Sequence, residues 1–425
     1  MAFVLKTYKT LRNNWKKSTF FAIVLGWGGS YTKNYLETEN LMRAYCKKAS
    51  EYGNQTIPVT ANPRSVTVIL NPKANKRKAQ SEFEKYCAPL LHLAGLKVEL
   101  VKTESEGHGK SIIDKINGPE ALVVAGGDGT LSEVITGLLR RTNENVNNLV
   151  PLGILPLGRN NSLSQSLFPN KTKLNRVKSL ADATMAIIEE HTKPVDVLRI
   201  EILTEEEKRP IYAMSGIKWG AYRDAEVMKE SYWYFGGLKK YVTYLLNGLK
   251  TNLAWNCQAQ VYYSPPCAGC SNCYQGQQSQ SQSKWFQNFI KGTDESRKYQ
   301  YVNNPYCNEK LERNISTTDF NIFTSNVIPS RISDTDIPKI QLYIGPPKVD
   351  YVDFVRQGWK YENDGSREIE ESIEARTIEI DPKLVKGQEL WFSIDNEDYE
   401  AKPIKVTLLP RLLKMYCSRD ILINK

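Results

Sequence analysis

The sequence predicts an α/β lobe followed by a larger β-sandwich lobe, with a basic segment in front of both. Three observations carry this. Between Ser65 and Pro156 short apolar runs alternate with helix-spaced segments. After Pro194 the runs become short, β-rich and closely spaced. Most of the excess positive charge sits in residues 1–50. The 425 residues exceed one ordinary domain, for which about 150 residues is usual. A hydrophobic content of 41% can bury a core, which excludes wholesale disorder. The expected division is 1–60, 61–195 and 196–425, with a flexible insertion near 265–313.

The net charge is +10, and residues 1–50 supply most of it through nine Lys and Arg against Glu37 and Glu39. The rest is nearly neutral, which argues against a nucleic-acid-binding face. An uncharged run from Ser18 to Tyr31 lies between Lys16-Lys17 and Lys33. It falls short of the roughly 18 apolar residues a bilayer-spanning helix needs. The segment reads as membrane-associating or targeting, with an amphipathic helix packed on the globule as the alternative. Eight cysteines do not make a disulfide scaffold in this length. Three histidines leave little room for a His-rich metal site or a Ser-His-Asp relay.

In the α/β half, Ser65–Leu70 is a β-branched strand that stops at Asn71-Pro72. Helical spacing over 81–93, a strand over 96–100 and a helix over 111–116 follow. Ala121-Leu122-Val123-Val124-Ala125 reads as a buried strand running into Gly126-Gly127-Asp128-Gly129-Thr130, then a helical pattern and a further strand at 152–156. Continuous apolar strands alternating with helices imply a mostly parallel sheet covered on both faces, with ligands beyond the strands' carboxyl ends. The glycines sit there. They let backbone turn sharply and approach a ligand, and the following helix start suits phosphate. Thr130 and Glu133 have capping-box spacing, so Glu133 reads equally as a helix start. Asp128 is different: a carboxylate in a phosphate-cradling loop is costly unless it holds a cation or accepts a proton.

Asn71-Pro72, Thr103 with His108, Gly126-Gly127-Asp128-Gly129-Thr130, Leu152-Gly153-Ile154-Leu155-Pro156-Leu157-Gly158, and Phe392-Ser393-Ile394-Asp395-Asn396-Glu397 occur in that order. Together they resemble the diacylglycerol kinase catalytic family, which also holds sphingosine and ceramide kinases. Residues 214–225, Tyr232-Trp233-Tyr234 and 392–410 resemble its acylglycerol kinase branch. The resemblance implies a nucleotide lobe similar to phosphofructokinase and NAD kinase, with ATP and Mg2+ in the cleft between the lobes. It implies phosphoryl transfer to mono- or diacylglycerol, and residence at the mitochondrial inner membrane facing the intermembrane space. For the acylglycerol kinase branch it also implies a second role with inner-membrane carrier-translocase subunits.

By the same resemblance Asp128 is the first acidic group of the cleft, as base or magnesium ligand, and Asp395 and Glu397 are a second pair. Asn71, Thr103, His108, Gly126, Gly127, Gly129, Thr130, Gly158, Arg159 and Asn161 would bind the nucleotide. Asp224 matches an acid that meets the substrate headgroup, the alternative being a surface carboxylate on a helix start. The family pattern G-T-x-N-D stands here as Gly158-Arg159-Asn160-Asn161-Ser162. Arg159 could bind a phosphate or fill the pocket. Glycines of the pattern are replaced by Asn75 and Asn396, and asparagine tolerates left-handed backbone. Two other functions stay open. NAD kinase shares the G-G-D-G loop but lacks a convincing N-E counterpart here; a catalytically weak assembly scaffold is suggested by Arg159 and Ser162.

In the β-rich half, strands are expected at 194–200, 209–214, 258–263, 340–344, 376–380, 390–394 and 404–409. Leu238, Tyr241, Val242, Leu245, Leu246 and Leu249 follow helical spacing and read first as core, second as an acyl-chain wall. Cys267, Cys270 and Cys273 have C-x2-C-x2-C spacing. No second C-x2-C or H-x3-H follows, and a fourth ligand would be distant Cys257 or Cys307. The run therefore reads as a disulfide or free thiols before metal. The low-complexity stretch after it reads as a flexible surface insertion.

Overall fold

The computed structural model describes residues 13–56, 62–105, 107–116, 118–142, 149–169, 175–204, 209–250, 253–267, 269–271, 302–326, 337–383 and 390–423. The low-complexity insertion and Cys273 lie outside them.

The first lobe is built on four parallel strands, β1 (Ser65–Leu70), β2 (Lys97–Lys102), β3 (Ala121–Gly126) and β4 (Leu152–Pro156), in the order β2-β1-β3-β4. β3 and β4 are buried along their whole length, as their unbroken apolar runs require. Helices cover the sheet: α2, a helical stretch over 79–93 with a π turn at Phe83–Cys87, α3 (His108–Lys115) and α4 (Asp128–Thr142). They are followed by α5 (Ser162–Leu167) and α6 (Asn175–Glu189).

The sheet does not stop at β4. It continues through β16 (Ile404–Tyr416), which pairs with β4 in parallel at Met415–Leu152, into the antiparallel strands β13 (Thr377–Pro382), β8 (Cys257–Ser264) and β9 (Leu311–Thr317). Strands β5 (Thr192–Ile202) and β6 (Ile211–Ala213) branch off β16. One ten-stranded mixed sheet thus spans both lobes, and Leu413, Met415, Tyr416 and Cys417 return to the first lobe's core. The second sheet is antiparallel and six-stranded. Its order is β12 (Glu371–Ala375), β11 (Ile340–Ile344), β10 (Asp319–Thr324), β7 (Gly216–Gly220), β14 (Trp391–Ile394) and β15 (Glu397–Glu400). One apolar core, including Trp219, Phe320 and Phe392 from this sheet and Val261, Ile378 and Val406 from the other, lies between them.

The apolar stripe expected as core is only partly buried: Tyr241, Val242 and Leu245 are half-buried, Leu245 against the cluster of Tyr222, Tyr244 and Phe354. On α8 (Lys239–Asn247) the buried positions are Thr243, Tyr244 and Asn247, while Leu238, Leu246 and Leu249 are exposed. Tyr244 takes the inward place because it packs on Phe354 of α9 (Tyr351–Asp364) and on Tyr222 of α7 (Ala221–Met228).

Among the described residues of the N-terminal segment, Trp15–Gly53 form one helix, α1, about 58 Å long at 1.5 Å per residue. Its last turns pack on the first lobe: Ala49 is buried, Lys48 pairs with Glu189 at 2.5 Å, and Tyr45 donates to Asp182. Its earlier turns expose Phe20, Ile23, Leu25 and Trp27. Among the described residues no helix is long and apolar enough to cross a membrane. The packed-helix expectation thus describes the last turns of this helix.

α3 and α4 meet at a glycine. A Cβ on Gly137 would lie 2.6 Å from the Lys110 carbonyl oxygen, a backbone atom that cannot swing aside. Gly137→Ala is expected to lower stability by about 1–3 kcal/mol, as overpacking does; an unchanged urea midpoint would contradict this packing.

Candidate active site

The loops that leave β1, β2, β3 and β4 converge beyond the strands' carboxyl ends and meet the tip of the β14–β15 hairpin. The β3 and β4 loops abut: Gly158 N donates to Gly126 O at 2.8 Å and Asp128 N to Asn160 O at 3.2 Å. A Cβ on Gly158 would fall 2.1 Å from Gly127 Cα, so no side chain fits there. Asn161 holds the β4 loop by accepting from Gly158 N (3.2 Å) and donating to Gly158 O (2.9 Å). Asn71 ties the β1 loop to the helix start, donating from Nδ2 to Thr130 Oγ1 at 3.0 Å. Asn75 has φ 50°, the left-handed backbone its asparagine permits. Thr103 N donates to Leu70 O at 2.9 Å, and His108 Nδ1 accepts from Glu104 N at 3.1 Å.

Glu133 does not cap its own helix. Its carboxylate accepts from Gly107 N (2.7 Å) and Gly109 N (3.0 Å), so it caps the neighbouring α3.

Asp128 is buried at the start of α4. Its Oδ2 accepts from Ser162 N at 2.9 Å and from Asn396 Nδ2 at 2.8 Å, while its buried Oδ1 has no hydrogen-bond partner. Burial pushes the Asp128 carboxyl above the usual range; the Ser162 backbone and side chain, the Leu163 backbone and the Lys218 ammonium pull it partly back.

Asp395 and Asn396 form the two-residue turn between β14 and β15, both at positive φ (47° and 67°), as a type I′ hairpin demands. Asn396 therefore serves where the family pattern has glycine. The Asp395 side chain turns back into the protein. Its oxygens accept from Met214 N (2.8 Å), Ser215 N (2.8 Å) and Gly216 N (3.1 Å). Burial pushes its carboxyl up to about 7, with Asp128 adding to the rise and the three backbone bonds opposing it.

These loops enclose a cavity of about 500 Å³. Of the residues expected from sequence, Asn71, Thr103, Gly127, Asp128, Gly129, Thr130, Gly158, Arg159 and Glu397 line it. His108, Gly126, Asn161 and Asp395 do not line it; they brace the loops that do. Asp224 does not line it either. On α7 it accepts from Arg223 and from Ala254 N at 2.9 Å, so both its oxygens are engaged within the protein. Sequence reasoning missed Lys73, Glu104, Ser105 and Asn160 as lining residues. Each lies within two residues of a motif position, and that adjacency was the available signal. Arg159 sits at the rim, paired with Glu230 at 3.2 Å, and leaves the cavity open.

A parallel-stranded lobe whose glycine loops and helix start surround a buried carboxylate is the arrangement of a phosphoryl-transfer domain. Comparison with known proteins sharpens this. Residues 65–200 match the diacylglycerol kinase catalytic domain, and residues 214–422 match the acylglycerol kinase C-terminal family. The mitochondrial acylglycerol kinase of Mus musculus is 37% identical and that of Homo sapiens 36% identical, each over 96% of both chains. A diacylglycerol kinase crystal structure from Bacillus anthracis shares the fold, with a TM-score of 0.52 at 16% identity over 85% of this chain and all of that one. The chain belongs to the acylglycerol kinase family, enzymes of the acylglycerol/diacylglycerol kinase class.

Glu133→Ala is expected to lower stability by about 1–2 kcal/mol, the usual worth of a lost helix cap. It should also speed amide exchange at Gly107 and Gly109. Unchanged exchange at those two amides would refute the capping role.

Proposed function

We propose that the protein transfers the γ-phosphoryl group of ATP to the hydroxyl of a mono- or diacylglycerol at a mitochondrial membrane. The observation that carries this reading is the buried Asp128 carboxylate lining a glycine-rich cavity at a helix start. The mitochondrial relatives support the location, and the carrier-import role stays a proposal resting on the resemblance.

In this mechanism the first turn of α4 and the glycine loops hold the triphosphate through backbone amides, and Arg159 turns from Glu230 to a phosphate oxygen. The lipid hydroxyl oxygen attacks the γ-phosphorus, the bond to the β–γ bridging oxygen breaks, and ADP leaves. The hydroxyl proton passes to a cleft carboxylate. Asp128 suits this role better than Asp395, whose oxygens are already occupied by three backbone amides. Asp128 and Glu397 also fit Mg2+, which is commonly held by one or two carboxylates plus substrate phosphates. Bound there, the ion would neutralise phosphate charge. The lipid would enter past Trp233, Tyr234, Phe235 and Leu238, exposed on the Lys229–Leu238 segment that also carries Glu230. The proposed division of labour follows 61–195 for the nucleotide and 196–425 for the lipid, with 1–60 at the membrane.

The test supplies labelled ATP with vesicles of mono- or diacylglycerol, and separately with NAD. Wild type is expected to phosphorylate the lipid and not NAD. Asp128→Asn is expected to lose about 10²–10³ in kcat, the scale of removing a cleft electrostatic group. Equal incorporation by the variant, or none by wild type, would favour the scaffold.

The pH dependence has a definite sign. Asp395 stays protonated until about pH 7 and Asp128 is also raised, so the ionised pair forms only as pH rises. Activity is expected to rise with pH as the Asp128 carboxyl ionises, then to level off. A kcat/KM profile that is flat or falling as pH rises from the acid side would contradict this.

A further inference from the structure

The β8–β9 pairing brings together cysteines that are far apart in sequence. Tyr263 of β8 stands opposite Leu311 of β9, so the two ends of the intervening segment leave the sheet side by side. Ser271 N donates to Val302 O at 2.8 Å just beyond. Cys267 and Cys270 lie on the outgoing end, and Cys307 lies in the 3-10 turn Pro305–Asn308 on the returning end. Their three sulfurs all fall within 4.8 Å of one another. Cys270 and Cys307 are buried. Cys257, the other distant candidate, is not part of the group; its Sγ points at Ala254 O.

We infer that Cys267, Cys270 and Cys307 bind a zinc ion, which clasps the two ends of the β8–β9 insertion. A tetrahedral site with Zn–S bonds of about 2.3 Å holds its sulfurs roughly 3.8 Å apart, so the ligands need only a small contraction. The C-x2-C step from Cys267 to Cys270 is the usual spacing for two ligands on one zinc knuckle. The surrounding donors suit thiolates. Arg376 Nη1 donates to Cys307 Sγ at 3.3 Å, and its Nη2 to Cys307 O at 3.2 Å. Asn304 Nδ2 donates to Cys267 Sγ at 3.3 Å. Such outer hydrogen bonds orient metal ligands and favour the charged sulfur. Three thiolates around Zn2+ leave one negative charge, and the Arg376 guanidinium balances it. A disulfide would join only two of the three sulfurs, and an iron–sulfur cluster would spread its thiolates over separate irons. A fourth donor completes the tetrahedron; Cys273 lies outside the described residues.

The ligand set also fixes how the site acts. Binding requires deprotonated sulfurs, so metal uptake releases protons and ties the two chain ends together only when zinc is present. The site lies on the β8–β9 end of the large sheet, at the opposite end of the strand order from β2. It does not share a residue with the cavity around Asp128.

The experiment uses the untagged full chain purified in reducing buffer without chelator. Elemental analysis is expected to find about one zinc per chain, as for a structural thiolate site. Cys270→Ser and Cys307→Ser should each lower that content at least fivefold. A mercurial thiol reagent added to wild type should release the zinc as the thiols are consumed, a readout that needs no folded variant. Cobalt in place of zinc should give intense sulfur-to-metal charge-transfer bands. Wild type free of zinc, zinc retained undiminished by both variants, or iron with acid-labile sulfide in its place would each overturn the assignment.

Discussion

The two oxygens of Asp128 are treated differently, and the site depends on that difference. Oδ2 is bound by the β4 loop through Ser162 N and by the second sheet through Asn396 Nδ2. Oδ1 is buried and makes no hydrogen bond of ordinary geometry among the described residues. Leaving a buried acceptor unsatisfied costs about 1–3 kcal/mol, and more for a charged group. The fold bears that cost because the remaining contacts are hard to change. Gly127 and Gly158 touch backbone to backbone, and the left-handed Asp395-Asn396 turn aims the asparagine amide at Asp128. Asp395 then anchors the turn on the bend before β7. A ligand that satisfies Oδ1 recovers stability the empty fold gives up, which is the physical sense in which this carboxylate is poised.

Behind the hairpin lies a buried ionic network. Lys218 pairs with Glu226 at 2.9 Å, Arg367 bridges Glu226 and Asp319, and Arg223 bridges Asp224 and Asp398. Burial alone would raise the Glu226 carboxyl, but Lys218 and Arg367 outweigh it and hold it down to about 2. Pairs of this kind add little net stability, since desolvation offsets most of the attraction, yet losing one partner strands a buried charge. Their effect is to fix register. Lys218 sits on β7 opposite Ser393 of β14, one residue from the strand's end at Ile394, so the network locks the strand that carries the hairpin. It also explains Asp224. That residue matches a headgroup ligand by pattern, and here it accepts from Arg223 and from Ala254 N.

Much of this was legible in the sequence, and the failures have physical reasons. The parallel half declared itself because a strand buried on both faces must be apolar throughout, as Ala121–Gly126 is. The motif glycines marked the loops for the same kind of reason: Gly158 is a glycine because its Cβ would fall 2.1 Å from Gly127 Cα. β7 was missed because Gly216-Ile217-Lys218-Trp219-Gly220 has glycines at both ends and a charge in the middle, and only the paired strands and Glu226 make that arrangement tolerable. The continuity of the large sheet was hidden because it depends on one pairing between residues 152 and 415. The leucine stripe misled because periodicity reports that a helix has an apolar face, not which way it faces.

The exposed leucines of that stripe bear on how the fold could meet a lipid. A side chain such as Leu238 or Leu249 gains about 1.5–3 kcal/mol when it leaves water for an apolar phase. With Trp233, Tyr234 and Phe235 beside them, several such gains are available on one segment. The early turns of α1 offer the same kind of surface, with Phe20, Leu25 and Trp27 exposed and Lys16, Lys17 and Lys33 flanking them. Near an anionic surface each lysine or arginine adds about 1 kcal/mol. None of these groups needs a membrane-spanning helix to act, because they need only reach the interface. The segment carrying the aromatic residues also carries Glu230, the partner of Arg159 at the cavity rim. One short segment thus carries both the exposed rings and the partner of a cavity-lining arginine.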